Sequence, residues 1–196
     1  MAISSMKTKA ISSKLLVGNT YYVDNAFESI QTVIVGAGGA TDITFSSIPS
    51  TYKHLQIRGL ARNNNTNAND LEGLLVQYNG ATTGYSWHSL KGDGTSAAAI
   101  NGISQSYMYS GYSPTNGSTS NAFGVFIIDI LDYADTNKNK TQKVLTGIDT
   151  NNSLNSQVGL WSGLWQSTSA VNSIKLYTTT SKNFTQYSTF ALYGIK

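Results

Sequence analysis

Between Ala122 and Tyr133 apolar side chains occupy both phases of a two-residue repeat: Phe123, Val125 and Ile127 alternate with Phe126, Ile128 and Ile130. Successive side chains of a strand point to opposite faces, so this pattern predicts a central strand with both faces covered. A helix fits less well. β-Branched and aromatic residues dominate, Gly124 lies inside the run and no capping residue precedes it. Asp129, Asp132 and Asp135 then end the run in a polar turn.

Shorter alternating segments flank this run. Gln31 to Val35, Ile43 to Phe45 and Tyr52 to Arg62 are predicted strands. The last places Lys53, Leu55, Ile57, Gly59 and Ala61 on one face and Tyr52, His54, Gln56, Arg58, Leu60 and Arg62 on the other. Residues 63–70 form a polar loop, and Leu71 to Tyr78 resumes with Leu74, Val76 and Tyr78 on one side. Asn79-Gly80 then predicts a hairpin turn before Tyr85 to Leu90, with a longer loop through Thr82, Thr83 and Gly84 as the alternative. Gly92-Asp93-Gly94 predicts the next reversal, Ile103 to Tyr109 a strand, and Gly111 to Asn121 a long polar loop into the central strand. Beyond it, Lys143 to Ile148, Val158 to Gln166, Val171 to Thr178 and Phe184 to Ile195 are predicted strands, with a turn at Asn151 to Asn155. The doubled Gly-Leu-Trp ending at Trp161 and Trp165 sends both tryptophans to one face, expected to be the buried one.

About ten strands at this spacing, with no convincing helix, predict an all-β fold. The expected form is an antiparallel two-sheet β-sandwich, jelly-roll-like, with a β-barrel or galectin-like sandwich as the alternative. Residues 1–27 show little periodicity and predict an extended N-terminal arm, leaving 28–196 as the single domain. The candidate anchor and assembly residues of the arm are Lys7, Lys9, Lys14, Leu15, Leu16, Tyr21 and Tyr22. Its lysines suit an acidic surface and its apolar groups need a cover; a frayed terminus is the other reading.

Composition narrows the class. Charged residues make up only 12% of the chain, and Ser, Thr, Asn and Gly fill the gap, as in extracellular β-proteins. With 196 residues, 40% hydrophobic and 11% aromatic, the chain can bury one substantial core and does not read as disordered. The net charge of +3 equals the contribution of Lys7, Lys9 and Lys14, and the other basic residues are scattered, so no nucleic-acid surface is expected. The absence of cysteine rules out disulfides and thiolate metal sites. No stretch approaches a membrane span, and Leu15, Leu16 and Val17 are too short an apolar run for a signal peptide, so no secretion route is expected.

Candidate chemistry is sparse, and no enzyme or cofactor is expected. The two histidines, His54 and His88, belong to no nucleophile, zinc or phosphate-loop motif. Asp129 and Asp132 could serve as a glycosidase pair, but their spacing places them on opposite faces of a strand. Oxygen ligands for calcium could come from Asn63, Asn65, Asn67 and Asp70, or from Asp132, Asp135 and Asn137. Asp132 and Asp135 are the weak metal candidates, because Asn and Asp are also ordinary turn residues. Tyr107, Tyr109 and Tyr112 form the candidate ligand or subunit contact, with core packing as the third alternative.

Several stretches are similar to those of a known family. They are Phe27-Glu28-Ser29-Ile30, Ile43 to Arg58 with its Phe45-Ser46-Ser47-Ile48-Pro49, Tyr78-Asn79-Gly80, Phe126 to Tyr133, Ser162-Gly163-Leu164-Trp165 and Tyr187 to Lys196. Over residues 27–196 the chain resembles small jelly-roll-like virion structural proteins of tailed bacteriophages. The resemblance implies a non-enzymatic structural protein on the virion surface, and a capsid decoration or cement protein is the first expectation, anchored by its arm to the major capsid protein or another virion protein. A homo-oligomer, trimeric by preference, would cover exposed strand edges. The alternative is a tail-fibre or tail-tip adsorption protein that binds host surface glycans; neither reading calls for nucleic acid or a membrane as partner. A polysaccharide depolymerase is disfavoured.

Overall fold

The computed structural model describes residues 14–17, 20–23, 26–66, 71–151 and 156–196, the first two segments by backbone pairing only. The strands are β1 (Lys14–Val17), β2 (Thr20–Val23), β3 (Phe27–Ile34), β4 (Asp42–Phe45), β5 (His54–Ala61), β6 (Leu71–Tyr78) and β7 (Tyr85–Gly92). They continue as β8 (Ala97–Gln105), β9 (Met108–Pro114), β10 (Gly124–Leu131), β11 (Lys140–Ile148), β12 (Gln157–Trp165), β13 (Ile174–Thr178) and β14 (Thr189–Ile195). β1 and β2 pair with each other. The rest build an eight-stranded sheet, β3-β14-β5-β10-β11-β12-β7-β8, and a four-stranded sheet, β4-β13-β6-β9. All pairings are antiparallel, and at most connections the chain crosses from one sheet to the other. The molecule is a jelly-roll-like β-sandwich, as the strand spacing predicts.

The core lies between the sheets. Phe45, Leu74, Val76, Tyr78 and Leu176 of the small sheet meet Leu55, Ile57, Phe126, Ile128, Val144 and Phe190 of the large one. Trp161 and Trp165 share the inner face of β12, at 1% and 6% exposure, as their four-residue offset predicts. Burying this apolar set in well-packed contact is the main source of stability, because no disulfide contributes.

Five expectations need correction. The first concerns β10. It sits in the interior of the large sheet, between β5 and β11, but it is covered on one face only. Phe126, Ile128 and Ile130 are buried, whereas Val125 and Leu131 on the other face are 47% and 50% exposed. The small sheet has half as many strands as the large one and lies on one side of it, so the outer face stays open among the described residues.

The second concerns Asn79-Gly80. The two residues have the positive φ values of a tight turn, 52° and 67°, but β6 and β7 belong to different sheets. The turn is a corner. Asn79 holds it to the segment before β13, its amide donating to Ala170 O at 2.8 Å while its Oδ1 accepts from Asn172 N at 2.9 Å. Residues 82–84 supply the extra chain that carries β7 into the other sheet.

Third, Ile103 to Tyr109 is not one strand. β8 ends at Gln105 and β9 begins at Met108 in the other sheet, reaching Pro114 through the first part of the expected polar loop. Fourth, Arg62 leaves the exposed phase of β5 and is 6% exposed. Fifth, residues 184–188 are not part of the last strand, which starts at Thr189. In the arm, Lys7 and Lys9 lie outside the described residues, as do the side chains of Lys14, Leu15, Leu16, Tyr21 and Tyr22. The backbone of the last four pairs Leu15 with Tyr22 and Leu16 with Tyr21. Asn67, Asp70 and residues 152–155 also lie outside the described residues.

Candidate functional site

Strand register lays out the outer face of the large sheet as rows. Leu60, Val125, Gly147, Val158 and Gly92 lie side by side across β5, β10, β11, β12 and β7, with Ala97 of β8 next. One step along the strands, Ile127, Leu145, Leu160, Leu90 and Ala99 form a second row. These side chains face solvent: Leu90 is 57% exposed, Leu145 55% and Val158 65%. With about 4.8 Å between strands and about 6.8 Å between same-face neighbours, the two rows cover roughly 350 Å². Apolar patches of this size on a soluble monomer are often functional.

The next row is polar: Gln56, Asp129, Lys143, Ser162, His88 and Asn101. Gln56 Nε2 donates to Asp129 at 2.6 Å, and Lys143 Nζ lies 3.1 Å from the other carboxylate oxygen. Arg58, at the border, turns away from the apolar rows and lies over the rings of Phe27 at 5.2 Å and Tyr193 at 5.4 Å. The two apolar rows thus carry one charged residue, Arg58 at the β5 end, and the adjoining row has its Asp129 and Lys143 charges paired.

The apolar rows run to a free sheet edge. β9, at the border of the small sheet, packs beneath β7, β10, β11 and β12, and β8 extends beyond this cover. Residues Ala97 to Asn101 are therefore exposed on both faces, Ile100 by 41%. From Gly94 to Ile128 the sequence has no charged residue. An edge without charge or proline presents unpaired N–H and C=O groups with nothing to deter another strand.

The residues singled out from sequence fall elsewhere. Tyr109 stacks on Trp161 with ring centroids 5.1 Å apart, and Tyr112 stands edge-on to Trp161 at 5.6 Å. Burial, with the neighbouring Tyr112, pushes the Tyr109 phenol above its ordinary value. These two rings serve inter-sheet packing, not a surface cluster; Tyr107 is half-buried in the β8–β9 connection. Asp132 is held by Lys138 Nζ at 2.6 Å and Lys53 Nζ at 3.0 Å, which bring its carboxyl down to about 2. Asp135 accepts from Asn137 N at 2.8 Å and lies 3.4 Å from Lys138, and its carboxyl is also below its ordinary value. Ammonium groups thus take the positions around these carboxylates that a bound cation would need. His54 Nδ1 accepts from Asp132 N at 3.0 Å, and Asp129 pairs with Lys143, so the acids nominated for glycosidase work are engaged separately.

Three buried charges had no signal in the sequence. Glu72, 3% exposed, accepts hydrogen bonds from Asn65 Nδ2 at 3.0 Å, from Thr180 N at 2.8 Å and from the hydroxyls of Thr179 and Thr180. Burial raises its carboxyl, but those donors outweigh burial and the net shift is downward. Arg62 donates to the backbone oxygens of Ser118, Thr119 and Ala122 and to Asn116 Oδ1. Lys140 donates to the carbonyls of Asp135, Lys138 and Thr168. Each pins a loop through uncharged dipoles; the main partners of Arg62 and Glu72 lie far along the chain, whereas Lys140 bonds two carbonyls close to it in sequence and Thr168 farther on.

Compared with protein-family models, curated proteins and solved structures, the chain matches none.

Proposed function

We propose that this protein is a non-enzymatic structural subunit of a tailed-bacteriophage particle, a capsid decoration protein whose apolar outer rows pack on a neighbouring virion protein. The outer face carries this reading. Leucine and valine side chains ordered on a rigid sheet gain about 25 cal/mol for each Å² they remove from water, and the packing of the described residues leaves that gain unused. The paired charges of the adjoining row suit the rim of an interface, where they need not be desolvated. The uncharged β8 edge fits a homo-oligomer that covers it. The family resemblance over residues 27–196 supports a virion location, and residues 1–27 remain the proposed anchor.

Immunogold labelling of purified particles with antibody against residues 28–196 tests the location. Gold distributed over the heads is expected; gold absent from particles, or confined to the tail tip, would overturn the decoration role. Deleting residues 1–20 should abolish incorporation while leaving the melting temperature of the sandwich unchanged. Normal incorporation of the truncated chain would remove the arm from the account.

A further inference from the structure

At one end of the sandwich four connections meet around a cavity of about 400 Å³: the β3–β4 turn, the residues after β5, the β9–β10 loop and the β13–β14 loop. This size lies within the range of small-ligand sites. Its wall carries a feature that folding does not account for. Tyr187 is held at φ +72°, a left-handed conformation that disfavours bulky side chains, and the residue is 70% exposed. Its backbone is fixed by hydrogen bonding, with Tyr187 N donating to Val35 O at 3.0 Å. Glycine would satisfy this backbone without strain, and the ring gains little from burial. Strained residues of this kind cluster where a ligand is held.

The surroundings define the ligand chemistry. Amide side chains of Asn64, Asn116, Asn121 and Gln186 line the cavity. Asn64 Oδ1 accepts from Asn183 N at 3.0 Å and Asn116 Oδ1 accepts from Arg62 Nε at 3.2 Å, which leaves both NH₂ groups without a partner among the described residues. Behind them lies the Arg62 guanidinium, 6% exposed, surrounded by carbonyl oxygens, with no ion-pair partner among the described residues. No acidic residue lines the cavity. An aromatic ring, several amides and a buried positive charge together match an acidic sugar. The apolar face of a pyranose stacks on the ring, its hydroxyls bond the amides, and its carboxylate balances a cation whose field is weakly screened.

We propose that this cavity binds a carboxylate-bearing saccharide, with the Tyr187 ring as its stacking platform and Asn121 and Gln186 as hydroxyl partners. The site goes beyond the structural role proposed above and does not depend on it. The test uses the full chain on a glycan array that carries sialic-acid and uronic-acid glycans together with neutral ones, with melting temperature measured in parallel. Wild type should bind acidic glycans, and Tyr187→Gly should bind them at least tenfold more weakly while melting at the same temperature or higher, since the strain is removed. Gln186→Ala should weaken binding without altering melting. Absence of acidic-glycan binding by wild type, or equal binding by Tyr187→Gly, would overturn the site. Neutral glycans bound as tightly as acidic ones would overturn the assignment to Arg62. Particle labelling leaves these outcomes unchanged, so failure of either proposal is distinguishable from failure of the other.

Discussion

Gly59 has no side chain because the ring of Phe126, on the next strand, occupies the place a Cβ would take, with its nearest carbon 2.2 Å from that position. The same arrangement seats Trp87 over Gly102 and Tyr52 over Gly194. Each glycine lets a large ring lie flat across a neighbouring strand. Gly59→Ala should therefore destabilise the sandwich by about 1–3 kcal/mol through overpacking, measured by chemical denaturation. An unchanged midpoint would show that Phe126 can move aside. Glu72 makes a second prediction at this scale. Its folded carboxyl is lowered, as is that of Asp132, so the stability they contribute is present above the unfolded value near pH 4 and is lost as pH falls through the folded values. Glu72→Gln should cost about 1–3 kcal/mol at pH 7, because its buried donors lose an ionised acceptor. The gap from wild type should narrow toward pH 3, followed by denaturant titration at both pH values; a constant gap would mean that Glu72 acts through shape and not charge.

At the scale of elements, β10 shows what alternation can and cannot reveal. Its type and interior position were legible, because β-branched and aromatic residues filled both phases. Its exposure was not. An apolar face can be covered by the same chain or left for another, and a sequence looks the same in both cases. Tyr109 and Tyr112 were misplaced for a related reason, since alternation separates two faces without saying which is inner. Asn79-Gly80 announced a turn but not its destination, which depends on the length of chain that follows. Arg62 and Glu72 were illegible as buried charges because, Asn65 apart, their partners at residues 116–122 and 179–180 are distant in sequence. The exposed rows give this scale its prediction. Leu145→Ser with Leu160→Ser should change the stability of the isolated chain by no more than about 0.5 kcal/mol per site, as expected of surface positions. The same pair should sharply reduce incorporation into particles. A large loss of stability would mean that these leucines already have a cover within the chain.

For the whole molecule, an eight-stranded sheet backed by a four-stranded one is a lopsided sandwich. Among the described residues one large face is buried, the other is ordered, apolar over much of its width and open, and the β8 edge overhangs the core. The described residues thus leave a face and an edge that the proposed association would cover. Association that covers the outer rows and the free edge would complete it, and the paired charges beside those rows would stay hydrated at the border. Hydroxyl-radical footprinting tests this most directly, by comparing oxidation of Leu60, Leu90, Leu145 and Leu160 in the free chain and in intact particles. Strong labelling in solution and protection on the particle is the expected result; equal labelling in both, or absence of the protein from particles, would contradict it.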